Sequence, residues 1–368
     1  MDWFELFFDL GFAAVVGSLA SGLRGDPGPG AFGAFLVLSF PAWWAWVHLT
    51  VTVNLLGGPE RPWVQLVLLA AMPPLALMAA AEPKGLGANA WAYAFGAAGV
   101  RLVLFALWWH AATREGSPLR RSRPVLQGLV TAGLWALSAA VPGAARFALW
   151  GAAMLLEVVL LHVRTPVSER LYESLAVEHL VERFGGLVVI VLGESVLTVV
   201  GALQRHFTWS SALAALLALA TVTLLAFAFF VWGTSRALLR LTQAQQAGNS
   251  RAVRDTVVYL PFLLISAITM MAAGLGTAVT APGHPLASGA RWAVGAGISG
   301  FYLARSGTSL RHGEPVPVVL RRAAPGVVLP LVLIPLGAVV PAWVSVAGAA
   351  LVVGVMDLVS QGLSQRRG

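Results

Sequence analysis

Twelve apolar runs, each bounded by proline, glycine or charged residues, make up most of this 368-residue chain. About 20 apolar residues in a helix cross a bilayer core of roughly 30 Å, and most of the runs reach this length. Closed β-barrels would show alternating segments of ~10 residues, whereas these runs are continuous. The sequence therefore predicts an all-α polytopic membrane protein with about 12 transmembrane helices. The predicted segments are 3–22, 32–56, 63–81, 91–112, 125–141, 147–163, 176–201, 210–233, 256–280, 289–310, 325–340 and 342–360.

Two of these runs, 125–141 and 325–340, are short for a full crossing. They are compatible with tilted helices or re-entrant segments, and we count both as crossings. No cleaved signal is expected, because Met1 and Asp2 provide no basic region and Asp9 interrupts what would be the apolar core. The first run is therefore predicted to be a helix of the mature protein.

The composition excludes several classes of function. The chain is 58% hydrophobic and 11% charged, and it lacks cysteine, so it has no disulfide framework, thiolate metal site or catalytic thiol. Its seven histidines show no zinc-type spacing. It contains no Walker loop, dinucleotide glycine pattern or Gly-x-Ser-x-Gly elbow. We therefore expect no enzyme activity, no cofactor and no bound metal.

The basic residues predict the orientation of the chain in the membrane. With 12 crossings, 17 of the 24 basic residues fall on the side of the two termini, five on the other side, and Arg101 and Arg305 lie within helices. Cytoplasmic loops carry the excess of Lys and Arg, so both termini are predicted to be cytoplasmic in a bacterial inner membrane. The terminal-side residues are Arg61, Arg114, Arg120, Arg121, Arg123, Arg164, Arg170, Arg183, Arg236, Arg240, Arg251, Arg254, Arg311, Arg321, Arg322, Arg366 and Arg367. The opposite side has Arg24, Lys84, Arg146, Arg205 and Arg291. Topology explains the net charge of +8, and no nucleic-acid partner is expected.

The two halves of the chain show four similar stretches in the same order, which predicts a tandem repeat of six helices plus six. The halves are 1–170 and 171–368, and an even number of crossings gives both the same orientation in the membrane. The paired stretches are Glu5–Leu10 with Glu182–Leu187, Trp43–Trp46 with Phe229–Trp232, Met78–Ala80 with Met271–Ala273, and Leu119–Pro124 with Leu320–Pro325.

Two acids, Glu5 and Asp9, lie in the first apolar run and share one helix face because they are four residues apart. As helix-capping residues they would gain roughly 0.3–1 kcal/mol each from the helix dipole. This interpretation suits Glu5, but Asp9 lies about two turns into the helix. A charged residue at a helix centre costs roughly 2.5–3.5 kcal/mol on insertion scales, so we expect Asp9 to have a functional role or a charged partner.

The seventh run contains His179, Glu182, Arg183 and, three turns further on, Glu194. Glu194 is flanked by apolar residues and is predicted to lie near the middle of the membrane, as either a protonated structural acid or an ion or proton site. Gly193 and Ser195 are predicted to allow another helix to approach closely. Glu182 and Arg183 are interpreted either as an interfacial ion pair or, from the repeat, as part of a vestibule shared with Glu5. His179-x-x-Glu182 by itself is a weak metal signal.

Arg101 interrupts the fourth run and should find a carboxylate, with Asp9 and Glu194 as candidates. Arg305 lies closer to a helix end and is expected to snorkel to the interface. Glu157 and Asp357 occupy the last helix of each half, and both need partners. The tryptophans at 43, 44, 46, 108 and 109 are predicted to form interfacial belts without a ligand role.

The sequence resembles the bacterial low-temperature-requirement A family of multipass membrane proteins. The resemblance covers the whole chain and rests on Glu5-Leu-Phe-Phe-Asp9-Leu and on the Glu182-Arg-Phe-Gly-Gly to Gly-Glu194-Ser-Val-Leu stretch. It implies a membrane protein needed for growth in the cold whose activity is not established. The first motif begins almost at Met1, where family members usually have a polar lead.

A weaker resemblance is to potassium channels whose repeated six-helix units begin with a Phe-Ser-Asp motif. Phe7-Phe8-Asp9 is similar in place and pattern, but the second half has Phe184-Gly185-Gly186, without the acid. A pore that needs the acid in both copies is therefore not supported.

These features predict a secondary transporter or ion-coupled permease of unknown substrate. Its ion or substrate pathway would contain Glu5, Asp9, Arg101, His179, Glu182, Arg183 and Glu194. Asp9 and Glu194 would carry the proton or cation, with Arg101 as the counter-charge. The alternatives are a cation channel of the repeated six-helix type and a non-transport membrane protein that supports growth in the cold. The expected partners are the lipid bilayer and a small ion or solute, and self-association into a homo-oligomer stays open.

Overall fold

The computed structural model describes residues 3–56, 61–114, 117, 120–163, 165–232 and 234–365, and every named element in these ranges is helical. Predictions that concern Met1, Leu119, Arg164, Arg366 and Arg367 lie outside the described residues. Fourteen helices are named below in chain order. The first seven are α1 Trp3–Ser21, α2 Pro29–Leu55, α3 Pro62–Ala81, α4 Ala90–Thr113, α5 122–140, α6 Ala145–His162 and α7 Pro166–Glu173. The others are α8 Val177–Arg205, α9 Trp209–Trp232, α10 Thr234–Gln246, α11 Ser250–Thr280, α12 Ser288–Arg311, α13 Val316–Leu336 and α14 Ala342–Gln365.

Each of the 12 predicted crossings corresponds to a helix, and nine candidate spans in the described ranges are long and apolar enough to cross a membrane. The predicted crossings outside that set are α5, α12 and α14. Helix α5 contains a π-helical stretch, Val125–Val130, and the apolar part of α14 is Ala342–Leu358. The chain is thus an all-helical multipass protein, and the count of 12 crossings stays a prediction.

The prediction that the eleventh crossing is short was wrong. Helix α13 runs over 21 residues, from Val316 to Leu336, and continues through Pro325, where the predicted segment began. Proline in a helix interior removes one hydrogen bond, but membrane helices tolerate it because neighbouring groups satisfy the freed carbonyl. A boundary drawn at proline therefore shortened this helix.

The chain divides into two compact units. Unit 1 consists of Met1–Leu19, Val37–Gly186 and Thr242–Val253, and unit 2 of Ala20–Leu36, Leu187–Leu241 and Arg254–Gly368. In unit 1, helices α3 and α4 pack closely, and so do α11 and α12 in unit 2. Many large apolar side chains face away from the protein, among them Leu66, Leu197, Leu216 and Leu351. An exposed apolar surface of this extent is typical of a protein in contact with lipid.

Glycines set the spacing within both helix pairs. A Cβ atom at Gly96 of α4 would lie 2.6 Å from the carbonyl oxygen of Pro74 in α3, and one at Gly99 would lie 2.8 Å from the Pro74 Cβ. In unit 2, a Cβ at Gly297 of α12 would lie 2.7 Å from the carbonyl oxygen of Ala267 in α11. Small residues allow membrane helices to approach at this distance, where van der Waals packing replaces the missing hydrophobic effect.

Candidate functional site

A buried ion pair joins α1 and the first part of α8, within unit 1. Nη2 of Arg183 donates to Oδ1 of Asp9 at 2.8 Å, and Nη1 lies 3.6 Å from Oε1 of Glu5. All three charged side chains are at most 1% exposed. Because removing charges from water costs several kcal/mol per ion, these groups depend strongly on one another.

Helix α2 supplies the neutral polar groups around this pair. Nε1 of Trp46 donates to the same Asp9 oxygen at 2.8 Å, and Nη2 of Arg183 donates to the Thr50 hydroxyl at 3.4 Å. The Arg183 guanidinium also lies 5.7 Å from the centre of the Trp46 ring, within the range of a cation–π contact. Two donors, of which the Arg183 guanidinium is charged, therefore meet on one oxygen of Asp9.

Glu5 has a second partner in His179, one turn before Arg183 on α8. Nε2 of His179 and Oε2 of Glu5 are 3.0 Å apart, and Nδ1 of His179 lies 3.1 Å from Nδ2 of Asn54. The Asn54 amide is itself held by Ala176, accepting from its backbone N–H at 2.9 Å and donating to its carbonyl at 3.1 Å. The His179 side chain is 20% exposed, so it is the most accessible ionisable group of the cluster.

The cluster is assembled from residues spaced four apart on three helices. Glu5 and Asp9 share one face of α1, and His179 and Arg183 share one face of α8. The sequence predicted all four as pathway residues, but it interpreted Arg183 as the ion-pair partner of Glu182 or as part of a vestibule shared with Glu5. It missed a polar stripe on α2, consisting of Trp46, Thr50 and Asn54. Their four-residue spacing within an apolar run was the available sign, because residues four apart stack on one helix face.

The prediction of an interfacial belt was wrong for three tryptophans, Trp43, Trp44 and Trp46. Each of them is buried, with at most 1% of its surface exposed. The rings of Trp43 and Trp46 stack, with their centroids 5.3 Å apart. Their centroids lie 6.2 and 5.4 Å, respectively, from that of the Phe184 ring in α8. An indole is amphipathic, and a buried one usually places its N–H against an acceptor. These aromatic rings form the apolar wall beside the charged cluster.

Not all polar atoms of the cluster are satisfied by the described part of the chain. Oδ2 of Asp9 and the Nε and Nη1 atoms of Arg183 are buried without a hydrogen-bond partner there. In the described part of the chain, two carboxyl groups, Glu5 and Asp9, thus share the guanidinium of Arg183. An arrangement of this kind can bind a proton or exchange the guanidinium between the two carboxylates.

Arg101 of α4 pairs with Glu157 of α6, so the prediction of Asp9 or Glu194 as its partner was wrong. Nε and Nη2 of Arg101 donate to the two carboxylate oxygens at 2.8 and 3.2 Å, and both side chains are at most 2% exposed. The guanidinium also lies 5.1 Å from the centre of the Trp135 ring. The prediction that Arg101 and Glu157 each need a partner was confirmed, since they satisfy one another. Helix α5, which contains Trp135, packs against both α4 and α6.

Glu194 belongs to unit 2 and has Arg24 as its charged neighbour. Arg24 lies just after α1 and donates to the Thr198 hydroxyl at 3.3 Å, one helical turn from Glu194. Burial lowers the pKa of Arg24, the nearby Arg205 lowers it further, and Glu194 raises it. Glu194 is half-buried rather than fully enclosed. It stays a predicted pathway residue, with Arg24 instead of Arg101 as its basic neighbour.

Gly193, beside Glu194, does not mark a close helix contact, because a Cβ placed there meets nothing within 4 Å in the described part of the chain. The hydroxyl of Ser195 donates to the Val191 carbonyl of its own helix at 2.9 Å. Glu182 is exposed, whereas the neighbouring Arg183 is enclosed by Asp9 and Glu5. Consecutive residues point about 100° apart around a helix, which explains why these two neighbours differ so strongly in burial.

Arg305 of α12 has Asp357 and Tyr302 as charged or ionisable neighbours, and its guanidinium lies 5.7 Å from the centre of the Phe301 ring. Asp357 is 4% exposed. Arg305 is the basic neighbour of Asp357, but Oδ2 of Asp357 has no hydrogen-bond partner in the described part of the chain, so a partner for Asp357 stays a prediction. Within the described ranges, no group of three or more His, Asp or Glu side chains is arranged to hold a metal ion.

The profile of the family described as "Bacterial low temperature requirement A protein (LtrA)" matches residues 1–358. The chain belongs to this LtrA family. Both motifs on which the resemblance rested fall within the matched residues, and they contribute Glu5, Asp9 and Arg183 to the buried cluster.

An uncharacterised protein of Rhizobium meliloti (strain 1021) is similar, with 32% identity over 206 residues. The match covers 53% of this chain, which spans 49% of the length of that relative. No solved structure matches this LtrA chain.

Proposed function

We propose that this LtrA protein is an ion-coupled secondary transporter of the bacterial cytoplasmic membrane, in which the cluster of Glu5, Asp9, His179 and Arg183 binds the coupling ion. The observation that supports this most strongly is that two buried carboxylates lie within 4 Å of one buried guanidinium on membrane-spanning helices. Ionisable groups inside a membrane are expensive to bury and are usually found on ion pathways or proton relays. No enzymatic activity is proposed.

The unequal contacts of Arg183 support a coupling role rather than a purely structural one. Its contact with Asp9 is 2.8 Å and that with Glu5 is 3.6 Å, so the two acids compete for one cation. Protonation of one acid would release the guanidinium to the other. A change of this kind couples the ionisation of the cluster to the relative position of α1 and α8.

Asp9→Asn is expected to abolish coupled flux while the protein stays folded. Asparagine keeps a carbonyl oxygen that can accept from Trp46 and Arg183, but it cannot ionise. The measurement uses purified protein in liposomes with a trapped pH-sensitive dye, a membrane potential set by potassium and valinomycin, and a panel of external solutes. Flux is scored as the solute-dependent change in internal pH.

The matched control is Asp26→Asn, which removes an acid from the turn between α1 and α2. It should keep wild-type flux if the protein remains folded. Wild-type flux in Asp9→Asn would contradict the proposed site. Proton or cation current that needs no solute would favour the cation-channel alternative, and no flux for any solute or ion would favour a non-transport role.

We also propose that both termini are cytoplasmic, from the 17-to-5 distribution of basic residues. Ser122 and Ser288 are exposed and lie at the starts of α5 and α12, and the chain has no native cysteine. On intact cells, an impermeant thiol reagent should label Ser288→Cys and spare Ser122→Cys until the membrane is permeabilised. The reverse pattern would invert the topology.

We further propose that residues 1–170 and 171–368 are two copies of one six-helix unit in the same orientation. The glycine contacts support this, because Gly96 and Gly99 meet Pro74 and Met78, while Gly297 and Gly300 meet Ala267 and Met271. The two glycines of the second half lie 201 residues after those of the first half, and the residues that they contact lie 193 residues after Pro74 and Met78. The separation of 193 residues is also that of the predicted pair Met78 and Met271. The second copy has glycines in place of an Asp9 equivalent, so one coupling cluster is proposed per chain.

A further inference from the structure

We propose that four arginines of unit 2 bind the phosphate group of an anionic phospholipid at the membrane surface. The four residues, which we call the arginine cluster, are Arg236 and Arg240 in α10, Arg305 in α12 and Arg322 in α13. The observation that carries the proposal is that their guanidinium groups meet from three helices that also have exposed apolar side chains. The proposal concerns residues of unit 2 alone and does not depend on transport.

Two members of the cluster, Arg240 and Arg322, are held side by side by the same two acceptors. Nη1 of Arg240 and Nη2 of Arg322 both donate to the Ser309 hydroxyl, at 3.0 and 2.9 Å. The Glu314 carboxylate bridges the same pair, because Oε1 accepts from Arg240 and Oε2 accepts from Arg322 at 2.9 Å. The two arginine side chains are 20% and 30% exposed, so both are partly accessible. This pair of guanidinium groups is therefore already arranged around one anionic group.

The other two arginines add positive charge to the same place. Arg236 is a charged neighbour of both Arg240 and Arg305, and so is Arg322. Arg236 and Arg240 are also four residues apart, so they share one face of α10, where like charges destabilise a helix. An anion bound between these groups would relieve their repulsion. Phosphate suits this role, because the planar guanidinium matches the geometry of its oxygens.

The charges on this side of unit 2 favour an anion over a cation. Under the predicted topology, the terminal-side halves of the unit 2 helices and the loops between them contain seven arginines and three acids in the described ranges. They are Arg236, Arg240, Arg254, Arg305, Arg311, Arg321 and Arg322, with Asp255, Glu314 and Asp357. Arginine keeps its charge in proteins, so the seven positive charges exceed the three acids by at least four.

Exposed apolar side chains on the same helices favour a lipid over a free phosphate as the source of the anion. Leu239 of α10 is 59% exposed, and Val318 and Leu320 of α13 are 43% and 58% exposed. Arg322 is itself the seventh residue of the candidate membrane span Val316–Leu336, about 9 Å from its first residue along the helix. Basic pockets between membrane helices bind the head groups of anionic lipids, whose acyl chains then lie against apolar side chains.

The first test measures lipid binding to the purified full-length protein by native mass spectrometry. The protein is released from micelles that contain phosphatidylglycerol or the zwitterionic phosphatidylcholine, and the wild type should retain phosphatidylglycerol preferentially. Arg236→Gln, which changes an exposed side chain, should weaken this binding about fivefold, as expected for one basic residue at an anionic surface. Equal retention of the two lipids by the wild type, or unchanged binding in Arg236→Gln, would overturn the proposal.

The matched control is Arg321→Gln, which removes the same charge from the exposed residue next to Arg322. Consecutive residues point about 100° apart around a helix, so the two side chains face different surroundings. Arg322→Gln should weaken phosphatidylglycerol binding about fivefold, whereas Arg321→Gln should leave it near that of the wild type. Circular dichroism checks that both variants are folded. Equal losses in the two variants would indicate a general attraction of lipids to basic loops and would overturn the specific site.

The second test changes the acid that bridges Arg240 and Arg322. Glu314→Gln should strengthen phosphatidylglycerol binding, because it removes a negative charge that competes for the two guanidinium groups while an acceptor oxygen remains. A purely structural role of Glu314 would lower stability without raising lipid retention, so unchanged or weaker binding in the folded variant would overturn this site. Displacement of phosphatidylglycerol by millimolar inorganic phosphate would indicate a site for a soluble anion and would overturn the lipid assignment.

Discussion

Arg183→Gln is expected to destabilise this LtrA protein by about 3–5 kcal/mol, the usual cost of removing one partner from a buried ion pair. Arg183 contacts both Asp9 and Glu5, and its side chain is 1% exposed. Without it, two carboxylates remain buried near one another. We expect a large loss of folded protein in the membrane and loss of flux from what remains.

The measurement is the free energy of unfolding in mixed micelles, followed by circular dichroism as a denaturing detergent is added. Arg170→Gln is the matched control, because Arg170 is exposed on the short helix α7, and its stability should stay near that of the wild type. Adding Asp9→Asn to Arg183→Gln should restore part of the loss, since it removes one uncompensated charge. Wild-type stability of Arg183→Gln would show that Arg183 is not the counter-charge of these acids.

Arg101→Gln is expected to cost a similar amount, about 3–5 kcal/mol, but through a different pair. Arg101 donates twice to Glu157, and the fork geometry of guanidinium and carboxylate adds both energy and direction. Removing the arginine leaves the buried Glu157 without its cation. We expect reduced stability with flux retained by the folded fraction, because Arg101 lies outside the proposed coupling cluster.

A double-mutant cycle measures this pair. Arg101→Gln combined with Glu157→Gln should be more stable than Arg101→Gln alone, with a coupling energy of about 0.5–3 kcal/mol, as is typical for residues in contact. Combining Arg101→Gln with Glu194→Gln should instead give additive losses, because Arg24 is the basic neighbour of Glu194. Coupling with Glu194 and none with Glu157 would contradict the pairing in the structure.

Much of the fold was predictable, because it follows from local pattern. Apolar runs of about 20 residues predict membrane helices directly, since backbone groups in lipid must be satisfied within the segment. The predicted helix bounds were wrong where proline was read as a helix boundary, although membrane helices tolerate interior proline. Proline was taken as the start of α13, although the helix begins nine residues earlier, at Val316.

The acids of the candidate site could be predicted, but their partners could not. A carboxylate in an apolar helix requires a partner, because an unpaired charge in the membrane is costly. The spacing of Glu5 and Asp9 places both on one helix face. The same reasoning found Arg101 and Glu157 separately. It favoured Asp9 or Glu194 as the partner of Arg101, because any buried acid satisfies the requirement for charge.

The sequence by itself therefore determined the class of protein, the family, the helical segments and the residues that must be paired. Tertiary structure decided the pairing itself, joining Asp9 with Arg183 across 174 residues and Arg101 with Glu157 across 56. It also showed that Trp46, which was predicted to lie in an interfacial belt, contacts Asp9. Asn54, which the sequence analysis did not single out, contacts His179. The physical reason is that helical periodicity specifies which residues share one face of a helix, whereas which helix covers that face depends on packing between segments distant in the chain.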